Sequence, residues 1–243
     1  MYSIFKKEIS QFFATITGYV VIGIFLLITG LMIWFFPETS LLNQNIATLD
    51  PLFSLAPTIF SFLIPAVTMK MIAEEKQTGT IEFLMTKPVT IWQIILGKYF
   101  ASVVLILLAL LPTVLYYTTI YQLGSPKGNL DSGGILGSYI GLVLLGMVFA
   151  AIGLFASSLQ SNQIVSFLLA IFLCAFVYWG FDYVSKLPIF VGAGDDIVQM
   201  FGIAYHYNSI SRGVVDASDM IYFSSIISFF LFLTYITLNN QKL

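Results

Sequence analysis

Charge is scarce in this chain, and the place where it collects is where chemistry would have to occur. Of ten basic and twelve acidic side chains, seven fall in one short stretch: Lys70, Glu74, Glu75, Lys76, Glu82, Lys87 and Lys98. Carboxylates beside an apolar trio, Ile81, Leu84 and Met85 at i, i+3 and i+4, suit a docking surface. The acids would meet basic residues of a partner and the apolar face would fill a groove. A surface helix with no protein partner fits the same pattern. Other chemistries fail on inventory. His206 is the only histidine and Cys174 the only cysteine, so no metal ligand set forms. The phosphate-cradling pattern G-x-x-x-x-G-K-[ST] breaks at Gly97-Lys98-Tyr99, where Tyr99 stands in for the hydroxyl residue and Trp92 holds the first glycine position. The mid-span acids or histidines of ion-driven transporters are missing, with Lys70 and Lys98 expected to snorkel and Asp182 near the outer end of its span. No paired catalytic set lies within the spans. His206, between Tyr205 and Tyr207, reads as part of an interfacial aromatic belt, and Cys174 as a small packed residue.

The elements that must position these residues are membrane helices. Hydrophobic residues make up 58% of the 243-residue chain and charged ones 9%, with a mean hydropathy of +0.94. The apolar runs are continuous, which excludes a transmembrane barrel, and a net charge of −2 offers no field for nucleic acid. Six segments reach the roughly 20 apolar residues a span requires. They fall at about 17–36, 52–73, 97–120, 135–158, 164–183 and 221–238, within a single domain 1–243. The first apolar run reads as an anchor, not a cleavable signal. An even number of spans puts Lys6, Lys7, Lys70, Lys76, Lys87, Lys98 and Lys242 on one side and Lys127, Lys186 and Arg212 on the other. The positive-inside rule then places both termini, and the segment 74–96, in the cytoplasm.

Local patterning adds detail. Phe5, Ile9, Phe12 and Phe13 share a face opposite Lys6, Lys7, Glu8 and Gln11, which predicts an N-terminal amphipathic helix, capped by Ser3, lying on the membrane surface. Gly79 permits a break after the second span, and Thr80 is expected to cap a short helix with Glu82 in its first turn. Pro88 ends that helix. Thr90 and Gln93 form a capping box for the next. Pro57 and Pro65 weaken the second span. The glycines from Gly133 to Gly153 predict close helix packing, within the protomer in preference to a dimer seam. Between about Val184 and Met220 the chain is too long for a turn and too apolar for a solvated loop. Asp195-Asp196 can start a short helix with an apolar stripe of Ile197, Phe201, Ala204 and Tyr205, so short membrane-dipping helices are expected there, with Asp216 and Asp219 at the N-terminus of the last span.

The run Pro65-Ala66-Val67-Thr68-Met69-Lys70, then Glu74-Glu75-Lys76 with Gly79-Thr80-Ile81-Glu82-Phe83-Leu84, Pro88 and Gly97-Lys98, resembles ABC-2-type transporter permeases. The segment Ile210-Ser211-Arg212-Gly213-Val214-Val215-Asp216 with Asp219 resembles that family's final extracellular segment. Within the family the chain looks most like the gliding-motility-associated permease (GldF type). The resemblance implies an all-α, polytopic protein of the bacterial cytoplasmic (inner) membrane with no ATPase site of its own. ATP and Mg would be held by a separate ABC ATPase subunit, and a second permease or membrane-anchored subunit, identical or not, would complete the assembly. Glu74, Glu75, Gly79, Thr80, Ile81, Glu82, Leu84 and Met85 would couple to the ATPase. Arg212, Gly213, Asp216 and Asp219 would belong to the membrane-dipping segment. A structural membrane anchor that transports nothing, or a secondary transporter, are the rival readings.

Overall fold

The computed structural model describes residues 1–37, 40–41, 48–188, 194–213 and 216–240, with Met85 described by its backbone alone. No strand occurs among them. Helix α1 (Tyr2–Ala14) leads into α2 (Ile16–Trp34). Then come α3 (Asp50–Gln77), the short α4 (Thr80–Thr86) and α5 (Ile91–Leu110), which continues through a tight turn at Leu111–Thr113 into α6 (Val114–Leu123). After α7 (Ser132–Leu159), α8 (Gln163–Ala175) widens into a π turn at Phe176–Gly180 and ends as α9 (Phe181–Ser185). The short helices α10 (Asp195–Gln199) and α11 (Ile203–Ile210) precede α12 (Ala217–Asn239). Among the described residues six helical stretches are long and apolar enough to cross a membrane: Ile16–Trp34, Asp50–Gln77, Ile91–Leu123, Ser132–Leu159, Gln163–Ser185 and Ala217–Asn239. The protein is an all-α polytopic membrane protein.

Helix α7 is the centre. Its middle is buried from Val148 to Leu154, and α3, α5, α8 and α12 pack around it. Its small residues are the reason those neighbours come close. A β-carbon at Gly141 would strike Ile210, and one at Gly146 would strike Ile106 of α5. A β-carbon at Gly153 would overlap the Thr68 hydroxyl of α3. The glycines therefore serve packing inside the protomer. The outer helices α2, α8 and α12 leave long apolar flanks exposed, as lipid-facing helices do.

Three starts follow the caps. Thr90 and Gln93 form the expected capping box at α5, each bond at 3.3 Å. Asp131 caps α7 through Gly134 N–H at 2.9 Å, and Asn162 caps α8 through Ile164 N–H at 2.9 Å. Two expected caps are absent. Ser3 lies inside α1, whose first turn begins a residue earlier, and Thr80 is the first residue of α4, where its hydroxyl turns back toward Glu75 O at 3.4 Å and Thr78 Oγ1 at 2.9 Å.

Pro57 and Pro65 both lie inside α3. Pro57 has no N–H to offer Phe53 O, and the hydroxyl of Tyr207, reaching across from α11, donates to that carbonyl at 2.6 Å. Tyr207 is 2% exposed, and burial holds its phenol well above the ordinary tyrosine range, so it acts only as a neutral donor here. Tyr207→Phe should lower the stability of the protein by about 1–3 kcal/mol, the cost of a buried polar group left unpaired. In a Pro57→Ala background the cost should shrink, because the alanine regains a backbone N–H that reaches the same carbonyl. Thermal unfolding of the four proteins in detergent measures the difference.

Candidate functional site

The last turns of α3 are tied to two other helices, α7 and α5. Ser157 of α7 is buried between those turns: its hydroxyl donates to Met69 O at 2.9 Å and accepts from Ile72 N–H at 3.1 Å and Ala73 N–H at 2.9 Å. One donor and both acceptor positions of that hydroxyl are used, and it is inserted into the helix's own ladder. Lys76 Nζ donates to Ser158 O. Lys98 of α5 donates to Met71 O at 2.6 Å.

Lys98 is the core of the site. It is 1% exposed, and its ammonium lies 2.7 Å from Glu8 of α1 and 2.9 Å from Glu75 of α3. Lys7 reaches Glu75 Oε1 at 2.7 Å from the exposed side and Glu8 at 3.8 Å. Two lysines and two glutamates thus balance, and three helices meet on one ammonium. Gly97 makes the approach possible, since a β-carbon there would sit 3.0 Å from Ile4 of α1. Lys98 does not snorkel, because its counter-charges come to it. Burial opposes the Lys7 charge, but the Glu75 and Glu8 carboxylates outweigh it and hold that ammonium above an ordinary lysine. With the folded value raised, its stabilising effect is full at neutral pH and fades only as alkaline pH passes the raised value. The second Glu75 oxygen is buried without a partner among the described residues. A cavity of about 300 Å³, lined by Lys7, Glu8, Lys70, Glu74, Glu75 and Lys98 among others, opens beside this cluster.

The expected place of Glu8, on the polar face of α1, is corrected by the structure. The face turned to the bundle is Ile4, Glu8 and Phe12, spaced i, i+4 and i+8, while Lys6 and Lys7 are exposed. Phe5, Ile9 and Phe13 flank that face, half-buried. A pairing signal existed in the sequence: Lys98 sits in an apolar run, and Glu8 stands four residues from both Ile4 and Phe12.

Helix α4 stands just beyond the cluster. Gly79, at φ 71°, supplies the left-handed turn that separates it from α3. Ile81 is buried in the protein's own core, Leu84 is half-buried, and Glu82 and Thr80 are exposed. Phe83 is 74% exposed, a large apolar group that α4 offers outward. Glu74 is half-buried. The side chain of Met85 lies outside the described residues. At the same end Trp92, near the start of α5, stacks on Tyr235 of α12 with ring centroids 5.0 Å apart.

At the opposite end the α10–α11 segment is folded against α7, α3 and α12. Asp195 and Asp196 occupy the first turn of α10, as expected. The apolar stripe is corrected: Ile197, Phe201 and Tyr205 are exposed, and the buried face is Ile203, Tyr207 and Ile210. The break at Gly202 restarts the helical phase, so a stripe counted from Ile197 does not run through. Gly213, at φ 84°, lies so close to Gly134 that a β-carbon would overlap the α7 backbone, and Ser138 donates to Ser211 O at 2.8 Å. Val214 and Val215 lie outside the described residues. Arg212 and Asp216 are exposed on a cavity of about 970 Å³. Asp219 is buried and faces His206 of α11, Nδ1 to Oδ1 at 2.6 Å. His206 is therefore not a loose member of an aromatic belt.

Residues 2–239 match the family described as ABC-2 family transporter protein. The chain belongs to that family. Curated relatives include the probable multidrug ABC transporter permease YbhR of Escherichia coli (strain K12) and its counterpart in Escherichia coli O157:H7. Each is 30% identical over 115 residues, which is 47% of this chain and 30% of the relative. The matched part of this ABC-2 protein thus spans less than a third of the length of those curated relatives.

In this ABC-2 protein the expected coupling residues divide in two. Glu74, Gly79, Thr80, Glu82 and Leu84 remain accessible in whole or part, while Glu75, its side chain 12% exposed, is engaged by Lys98 and Ile81 joins the core. Glu75 thereby links the accessible group to Lys98. Lys98→Met should cost about 3–5 kcal/mol, because it leaves the buried Glu8 and the largely covered Glu75 facing only Lys7. Adding Glu8→Gln restores the balance of charge and should recover a substantial part of that loss. Unfolding midpoints in detergent, compared across the two single variants and the double, check the coupling.

Proposed function

We propose that this chain is the membrane permease subunit of an ATP-driven transporter in the bacterial inner membrane. Both termini and α4 face the cytoplasm in this reading, and a separate ABC ATPase subunit bears on α4. ATP and Mg are held by that subunit, and this chain contributes no ATPase site. A second permease or membrane-anchored subunit, identical or different, packs against the exposed apolar flanks left by the outer helices. The narrower gliding-motility role draws on the sequence resemblance alone. Motility would then be powered by the load this subunit passes on.

The observation that carries the reading is the arrangement at α4. A seven-residue helix stands outside the bundle with Phe83 and Glu82 turned out, one apolar anchor, Ile81, sunk into the core, and the Glu75–Lys98–Glu8 cluster directly behind it. Phe83 and Leu84 are suited to an apolar groove, and Glu74 and Glu82 to basic residues at its rim. Load applied to α4 passes through Ile81 and the end of α3 to α1 and α5, since a buried ion cluster resists separation of its members. Family membership supports the same assignment.

Surface and relay are therefore separable. Phe83→Asp or Glu82→Lys should lower recovery of the ATPase subunit in co-purification about tenfold, the effect of removing one anchor of about 1.4 kcal/mol, and leave the protein folded. Glu8→Gln should leave co-purification intact and reduce substrate-stimulated ATP hydrolysis in liposomes. Full complex formation and full activity in all three variants would refute the proposal.

A further inference from the structure

The cavity of about 300 Å³ beside Lys98 lies where α1, α2, α3 and α5 come together, and six charged side chains line it. Four of them, Lys7, Glu8, Glu75 and Lys98, answer one another as two ammonium groups and two carboxylates. Lys70 and Glu74 of α3 stand apart. Both are half-buried, and among the described residues neither takes part in an ion pair or a side-chain hydrogen bond. They stand four apart on one face of the helix, but with the lysine first, the weaker order for pairing. The cavity wall therefore offers one unanswered ammonium and one unanswered carboxylate, about 6 Å apart along the helix. An anionic ligand would answer Lys70 and be repelled by Glu74, and a cationic ligand would do the reverse. A ligand that carries both charges answers both.

We propose that this cavity binds the headgroup of a zwitterionic phospholipid, phosphatidylethanolamine, with its phosphate on Lys70 and its primary ammonium on Glu74. The order of the two charges matches the lipid. Glu74 is one turn closer than Lys70 to the end of α3, and in the lipid the phosphate is joined to the glycerol while the ammonium is the outermost group. The level matches as well. Helix α3 has 28 residues, about 42 Å of helix, against a hydrocarbon core of about 30 Å, so its charged last turns reach the headgroup layer. One turn deeper the same helices become apolar. Val21 of α2, Leu63 and Val67 of α3 and Leu105 of α5 line a cleft of about 20 Å³. That cleft is too narrow for acyl chains, and the exposed flank of α2 provides their path. Ile16, Val20, Ile24 and Leu27 form an exposed stripe that starts beside Thr15 and Thr17 at the cavity. It runs for about 16 Å, half the hydrocarbon core and so the depth of one leaflet. Gln11 and Thr17 also line the cavity, and their side chains can donate to phosphate and ester oxygens. Of the residues offered outward to an ATPase subunit the site takes Glu74, while Phe83 and Glu82 lie outside it.

Native mass spectrometry of the full chain in detergent, titrated with phosphatidylethanolamine or phosphatidylglycerol of the same acyl chains, tests the site. The wild-type protein should hold phosphatidylethanolamine about tenfold more tightly than phosphatidylglycerol, the effect of one hydrogen bond to a charged group. Glu74→Gln should weaken phosphatidylethanolamine about tenfold and remove the preference, because the bond to its ammonium is lost and the anionic headgroup is no longer repelled. The double variant Lys70→Glu with Glu74→Lys keeps the net charge and places the glutamate first, the better order along a helix, so it should fold. It reverses the order of charge that the headgroup meets, and the preference should be lost there too. Soluble phosphoethanolamine should not displace the lipid at equal concentration, since it has no chains to lie on α2. Equal binding of the two lipids to the wild-type protein overturns the proposal. A preference that survives in either variant overturns it as well, and if capture of the ATPase subunit is lost at the same time the wall belongs to that partner. Displacement by phosphoethanolamine assigns the cavity to a soluble zwitterion and overturns the lipid.

Discussion

A buried ammonium ion among apolar helices is stable only if carboxylate and carbonyl oxygens are brought to it, and the end of the bundle around Lys98 is organised by that requirement. Glu8 comes from the N-terminal helix, Glu75 and Met71 O from the last turns of α3, and each lies within 2.9 Å of the same nitrogen. The consequence is geometric. Helix α1 cannot slide past α5 without pulling Glu8 away, and α3 cannot turn at its end without moving Glu75. The glycine before Lys98 removes the side chain that would keep α1 at a distance. The position of α4 follows, because its stem is the part of α3 that Lys98 and Ser157 hold.

Close packing supplies the rest of the stiffness. Lipid offers little hydrophobic drive for one helix to join another, so association depends on surface fit and polar ties. Helix α7 provides both: glycines that admit Ile210, Ile106 and Thr68, and the Ser138 and Ser157 hydroxyls that bond the backbone of neighbouring segments. These contacts are spread along the whole helix and fasten both ends of the fold to one axis.

Hydropathy alone makes the six long helices legible, because only helices satisfy backbone groups in lipid. The Thr90–Gln93 box and the acids of α10 are legible as well, since capping is a local matter of adjacent residues. What is not legible depends on a neighbour. Glu8 and Lys98 each break a local rule, a charge on a buried face and a charge deep in an apolar helix, and make sense only together. Ile81 reads as part of a face for a partner, but the protein's own core takes it, and Phe83 becomes an outward apolar group. The misplaced stripe of α11 has a purely local cause, the phase break at Gly202. His206 looks ordinary in the sequence because its partner is thirteen residues away on another helix.

Helix α3 connects the two ends. Phe53 O, which takes the Tyr207 hydroxyl, and Met71 O, which takes the Lys98 ammonium, are eighteen residues apart, a span of about 27 Å of helix. Between them Pro57 and Pro65 each remove a ladder bond, and Ser61 and Thr68 bond back to carbonyls in their own preceding turns. A rod fastened at both ends and weakened in the middle answers a load by bending in the middle. Displacement of the Glu75 end would then reach the far end as a change in tilt between Pro57 and Pro65, not as a shift of the whole helix. The far end rests on α11, which the Tyr207 hydroxyl, the Ile210–Gly141 contact and the His206 pair hold from three sides.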